Sequence, residues 1–220
     1  MTTQNITLAD TVRWTADIGM FALDRSREDS CVHASDFCHA TCFNDKLETA
    51  FGHAIGPKDV KNDKAWLDND ADALARKLER ARRQTKRARF MTRGEAFKDF
   101  NDIPRVRRIL EKTPNTTWWI PTRAWKNPVL WIAVLGLKAR FENVRILASV
   151  DPSDSEDAMR KLEADGVSTM FYGDDDALTT PSGTARYACP KTHHHAAGFC
   201  ALCRKGCFNA KQVHVHLKQH

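Results

Sequence analysis

Seven cysteines in two compact groups constrain this chain of 220 residues more than any other feature. The first group is Cys31-x6-Cys38-x3-Cys42, and the second is Cys189-x10-Cys200-x2-Cys203-x3-Cys207. An odd count argues against a complete set of intrachain disulfides. The N-terminal MTTQNITLAD has neither the basic segment nor the apolar core of a secretory signal, so a reducing cytoplasm is the expected compartment. Clustered thiolates there predict metal ligation, because soft sulfur selects zinc and iron–sulfur centres. Only Cys200-x2-Cys203 has the spacing of a zinc knuckle, while the two x3 gaps are wider. All seven cysteines are therefore expected to bind a [4Fe-4S] cluster, one or two per chain, with zinc as the alternative. A division into four and three would leave one iron open to water or substrate. Burial as small hydrophobes is the bland reading of these cysteines.

The rest of the chain reads as one domain, 1–220, since no Pro/Gly/Ser-rich linker divides it. Residues 1–60 hold one or two strands (Thr11 to Leu23) and the first cysteine group. Residues 61–87 form a long helix, with Leu67, Ala71, Leu74, Leu78 and Ala81 as one apolar stripe. Residues 88–180 alternate strand and helix: strands at 88–92, 117–122, 144–150 and 167–172, separated by helices that begin near Pro104, at Asn127-Pro128 and at a Ser153/Glu156 capping box. Residues 181–220 carry the second cysteine group and a terminal strand, VHVHLKQH, whose His214, His216 and His220 alternate as on an edge strand and read as structural or exposed. The implied class is α/β, a partial or shortened (β/α) TIM-like barrel with parallel strands. Cysteine-rich loops near both termini would bring a metal cluster together, and an open doubly wound sheet is the competing architecture. No apolar run is long enough to span a bilayer, so no membrane association is expected.

Three segments carry a family resemblance: CVHASDFCHATCF near the N-terminus, FMTRGEAF followed by TPNTTWWIPTRAW in the middle, and CPKTHHHAAGFCALCRKGCF near the C-terminus. Together they resemble the bacteriophage gene product 88-like proteins over about two-thirds of the chain. The resemblance implies a phage origin, hence a host-cell cytoplasm, and a cysteine-bound cluster in a barrel-like scaffold; it implies no particular reaction. The family's strand end typically reads Gly-Asp-Phe, where this chain has Arg93-Gly94-Glu95-Ala96-Phe97, so Glu95 stands in place of the aspartate.

Functional groups in βα folds gather at the carboxyl ends of strands. That rule selects Arg93 and Glu95, Thr122 and Arg123, Ser149 and Asp151, and Tyr172. Glu95, Asp151, Tyr172, Arg93 and Arg123 form the expected catalytic set. His33, His39 and His193 to His195 lie inside the cysteine groups, where imidazole serves as ligand or acid/base. Sequence motifs for a nucleophile elbow, a P-loop, a dinucleotide site, a zincin and a kinase are lacking, and so is a CxxxCxxC run of the radical S-adenosylmethionine type. The expected function is an iron–sulfur enzyme that hydrolyses a small ester-like substrate. Two alternatives stand beside it. One is a metal-stapled nucleic-acid-binding protein using the basic stretch 76–93 and exposed Trp118, Trp119 and Trp125; the other is an electron-transfer or redox protein.

Overall fold

Alternating apolar strands and amphipathic helices resolve, in a computed structural model that describes residues 6–81, 86–174, 176–194 and 199–219, into one mixed α/β unit. The strands are β1 (Arg13–Thr15), β2 (Met20–Leu23), β3 (Arg87–Phe90), β4 (Thr117–Thr122), β5 (Val144–Val150), β6 (Ser168–Gly173), β7 (Tyr187–Ala188) and β8 (His214–Lys218). The early helices are α1 (Leu8–Thr11), α2 (Arg27–Ser30), α3 (Asp36–Ala40), α4 (Phe43–Asp68) and α5 (Ala71–Arg80). The later ones are α6 (Asp102–Lys112), α7 (Pro128–Arg140), α8 (Glu156–Ala164), α9 (Pro190–His193) and α10 (Phe199–Leu202).

The strands form one eight-stranded sheet in the order β1-β2-β3-β4-β5-β6-β8-β7. Only the β1–β2 hairpin is antiparallel. From β2 to β6 each new strand adds on the same side of the last, so right-handed crossovers stack α5, α6, α7 and α8 on one face. Alternation along the strands shows this directly. Phe90, Trp118, Ile120, Ile146, Ala148 and Phe171 pack with Leu74, Val106, Ile109, Leu130, Val134 and Leu162 from the helices. Their neighbours Met20, Trp119, Leu147, Met170 and Val215 face the other way and form a smaller apolar cluster with Phe208, Cys189, Cys200 and Cys207. The doubly wound alternative, with helices on both faces, is thereby replaced by a single winding. The sheet is also not closed: β1 and β7 are its edges, so the TIM-like ring expected from the sequence is not completed by hydrogen bonds.

Several local expectations change for identifiable reasons. The long helix is two helices, because Asn69 takes a left-handed conformation (φ 46°) and ends α4. The break resets the helical phase, leaving Leu67 60% exposed while Ala71, Leu74 and Leu78 are buried. Ser155, not Ser153, caps α8, accepting the Ala158 N–H at 3.3 Å, because both polar groups of Ser153 are bound to Asp151. The terminal strand β8 is interior, paired to β6 and β7, so His214 and His216 are buried; His220 lies outside the described residues. No helix among the described residues is long and apolar enough to cross a membrane.

Candidate functional site

The loop that carries Cys31, Cys38 and Cys42 lies across the carboxyl ends of the parallel strands and is fastened to several of them. His33 Nε2 bonds to the Lys98 carbonyl beyond β3 at 3.1 Å. Ser35 Oγ donates to Asp151 Oδ2, just beyond β5, at 2.5 Å. The same Ser35 oxygen caps α3 by accepting the Cys38 N–H at 3.0 Å. Tyr172 of β6 donates its hydroxyl to the Thr41 carbonyl at 3.3 Å and packs edge-on against Phe37. Two guanidinium groups act electrostatically on the thiols, Arg123 on Cys38 and Arg27 on Cys42, while Arg27 also ion-pairs with Asp45 and with Glu48 at 2.8 Å. Burial, then the charge of Glu95 and the two neighbouring thiols, pushes Cys31 up to about 12. Burial also raises Cys38, against the pull of Arg123.

Four of the five residues in the expected catalytic set, Glu95, Arg123, Asp151 and Tyr172, meet at this loop. Glu95 follows a left-handed Gly94 (φ 78°), where an added Cβ would stand 2.6 Å from Ser30 Oγ, so only glycine fits the turn. Its Oε1 accepts the N–H groups of Ala96 (2.8 Å) and Phe97 (3.1 Å), and its Oε2 accepts the Arg123 N–H at 2.9 Å. Burial raises the Glu95 carboxyl against these bonds. Arg123 ion-pairs with Asp151 and with Asp154 at 3.3 Å, and Asp151 also accepts from Ser35 and Ser153. Both carboxylates thus hold the backbone and the cysteine loop in place. Arg93 turns away toward α4, where its Nη2 pairs with Glu48 (2.9 Å) and Asp59 (2.7 Å). Beside Arg27, a cleft of about 480 Å³ opens between α2, α3 and α4, walled by Arg27, His39, Glu48, Ile55 and Asp59.

The second cysteine group is elsewhere, on the sheet face without crossover helices. Cys189 caps α9, and its N–H bonds to the His216 carbonyl of β8 at 2.9 Å. Cys200 and Cys207 pack with Cys189 over Trp119 and Met170. Cys203 joins them electrostatically: burial and the neighbouring thiols push Cys200 up to about 11 and raise Cys207 well above its ordinary value. Two arginines of β3 support this group. Arg87 donates to the carbonyls of Cys200, Ala201 and Cys203 and lies over the Phe208 ring. Arg89 lies 4.5 Å over the Trp119 ring, its Nε shielded from solvent with no hydrogen-bond partner, and it forms no ion pair with a carboxylate among the described residues. Burial lowers its pKa, against the pull of Cys207, Cys200, Asp24 and Cys189 in that order. His193 Nε2 bonds His216 Nδ1 at 2.8 Å, and His216 Nε2 bonds the Asp174 carbonyl at 2.7 Å. Because a carbonyl only accepts, His216 carries its proton on Nε2 and His193 donates to it.

The two groups are therefore separate gatherings of three and four. Among the described residues, no three His, Cys, Asp or Glu side chains stand at metal-holding spacing. Arg27, Ser35, Arg89, Glu48 and Asp59 were not singled out from the sequence. Ser35-x2-Cys38 is a readable cap, and Arg89 alternates with buried Ala88 and Phe90, which a buried strand exposes as an anomaly. Trp118 and Trp119 are buried, not exposed, and Arg87 and Arg89 turn inward, so part of the basic stretch does not form the solvated patch expected for nucleic acid. Arg82, Arg83 and His195 lie outside the described residues. A family model described as gene product 88 matches residues 2–214 of the chain. No curated protein and no solved structure matches it.

Proposed function

The chain belongs to the gene product 88 family, and from that premise we propose that it is an iron–sulfur protein with two centres. Cys31, Cys38 and Cys42 hold one [4Fe-4S] cluster at the carboxyl end of the sheet, and Cys189, Cys200, Cys203 and Cys207 hold another on the opposite face from the crossover helices. The observation that carries this reading is Arg89 at the second group, whose Nε is shielded from solvent with no hydrogen-bond partner and which forms no ion pair with a carboxylate among the described residues. An enclosed guanidinium needs a negative neighbour. Neutral thiols supply none, and close-packed thiols resist ionisation on their own, whereas coordination to metal removes their protons. The donor set is all sulfur, which suits iron–sulfur and zinc and disfavours harder metals.

The four-cysteine centre is complete in its ligands and serves as a structural or electron-relay unit. The three-cysteine centre has an incomplete ligand set at the strand ends, the usual place for chemistry in βα folds, so it is the reaction centre for a small-molecule substrate. When bound, the cluster would supply an open Lewis-acid or redox position there. Glu95 and Asp151 fix the loop, Arg123 balances the charge at Cys38, and Tyr172 fastens Thr41. Ester hydrolysis, the reaction expected from the sequence, would need one of these carboxylates released for proton transfer, and the bonds of Glu95 and Asp151 favour the positioning role. The test is metal and acid-labile sulfide analysis with Mössbauer and EPR spectra on anaerobically purified protein. Iron and sulfide sufficient for two clusters are expected; zinc alone, with no brown chromophore, would overturn the reading.

A further inference from the structure

The crossover helices α6 and α8 bury one side and show charge on the other, whereas α7, which the strand order sets between them, does not. Its sequence, PVLWIAVLGLKAR, has no charged residue before Lys138. Leu130, Trp131, Val134 and Leu137 are buried in the main core. The opposite side is apolar too: Val129 is 66% exposed, Ile132 is 71% exposed, and Ala139 stands exposed further along. A helix that is apolar all round belongs in an interior, so this strip lacks a cover.

The charges on either side of the strip say what fits it. From its amino end, α6 exposes Arg107 and Arg108, then Glu111 and Lys112. From its own amino end, α8 exposes Glu156 and Asp157, then Arg160 and Lys161, and Asp165 follows at its cap. The three helices run parallel, because each returns from the end of one parallel strand to the start of the next. Laid together in that direction, the two rows are opposite in sign: Arg107 and Arg108 meet Glu156 and Asp157, Glu111 meets Arg160 and Lys161, and Lys112 meets Asp165. Their present pairs are with near neighbours on the surface, such as Arg107 with Glu111, Arg160 with Glu156 and Lys112 with Asp72, and exposed pairs of that kind hold little energy. The Asp157 side chain is 96% exposed.

We propose that this face docks a second copy of the chain, forming a two-fold dimer whose axis runs along α7. Such an axis lays α7 on its own copy and sets α6 against α8 of the second chain on both sides of the strip, so one patch is its own complement. A two-fold axis across the helices would instead lay α8 antiparallel on its copy, with Arg160 and Lys161 facing themselves and Asp157 facing Asp165. Like charges of that kind select against the second arrangement. Val129 and Ile132 form the dry centre of the interface, and the charged rows form its rim. Neither cysteine group takes part, so dimer and clusters are tested separately.

The experiment is sedimentation velocity on a dilution series of the full chain. A thiol reductant is present, because free cysteines could otherwise cross-link two chains. A reversible equilibrium between the 24.9 kDa chain and a species of twice that mass is expected. Ile132→Glu and, as a second variant, Val129→Glu should each weaken the dimer at least tenfold, with circular dichroism unchanged because both side chains already face solvent. Asp157→Lys and Arg107→Glu should each weaken it several-fold. A chain carrying both reversals should recover most of that loss, since the exchanged charges again face each other across the axis. A chain that stays monomeric at every concentration overturns the proposal. So does a dimer indifferent to both glutamates, or one in which the charge reversals have no effect or fail to repair each other.

Discussion

At the scale of single residues, the Arg123–Asp151 pair decides whether the first cysteine loop is held. Both side chains are buried, and Asp151 additionally takes hydrogen bonds from Ser35 and Ser153. Removing one partner of such a pair leaves an uncompensated buried charge, so Arg123→Ala should destabilise the fold by roughly 3–5 kcal/mol in urea unfolding. The pair also sets an acid limit. Burial alone would raise the Asp151 carboxyl, but the bonds from Ser153 and Ser35 and the charge of Arg123 hold it below its ordinary 3.8. A depressed carboxyl contributes stability above its unfolded value that is lost as pH falls through the folded one. Unfolding free energy should therefore drop below about pH 4, and Asp151→Asn should flatten that slope in a pH series. His214 adds a second limit. Burial lowers it below its ordinary 6.5, so protonation disfavours the fold and stability declines as pH falls under 6.5. That decline should be shallower in His214→Gln, measured as the change in midpoint between pH 7.5 and 5.5.

At the scale of elements, α3 is a five-residue helix whose place depends on one cap. Ser35 joins the Cys38 amide to Asp151, so Ser35→Ala uncaps α3 and detaches it from β5 in one change. A cost of about 1–2 kcal/mol is expected, but the more telling readout is local. Metal-free protein should show faster alkylation of Cys38 with the reactivity of Cys200 unchanged, measured by mass spectrometry. The helix α7 offers the opposite case. Gly136 sits in its interior, where an added Cβ meets no atom within 4 Å, so Gly136→Ala should stabilise by about 0.8–1 kcal/mol without touching either cysteine group. These elements also show what the sequence made legible. Pro128 after Asn127 marked the start of α7, and apolar runs on both faces marked β4 and β5. The break at Asn69 was hidden because Leu67 and Ala71 keep a helical spacing of four across it in the sequence, although the left-handed cap takes Leu67 off the buried face. The interior place of β8 was hidden because its alternating histidines mimic an edge, and burial of His216 depends on partners far along the chain, the Asp174 carbonyl and His193.

At the scale of the whole molecule, strand order determines where the cysteines go. One-directional winding from β2 to β6 puts the crossover helices on one face and leaves the other to the C-terminal segment, which brings Cys189, Cys200 and Cys207 onto Trp119. The first group instead follows β2 and crosses the strand ends. The sequence predicted that loops near both termini would assemble one region, since they bracket the βα core. Spacing alone does not say that one set lies across strand ends and the other on a sheet face. That separation yields a test of the two-centre reading that needs no substrate. If the groups act independently, Cys38→Ala with Cys42→Ala should remove the iron and sulfide of one cluster and leave the spectrum of the other. Cys200→Ala with Cys203→Ala should do the converse, and the two difference spectra should sum to that of the intact protein, as expected for sites that share no ligand. Loss of all metal from either pair, at unchanged circular dichroism, would mean instead that the chain closes around a single shared centre. Arg89→Gln discriminates further, because withdrawing a nearby positive charge destabilises the more negative reduced state. It should lower the potential of the four-cysteine cluster and leave the signal of the other unmoved.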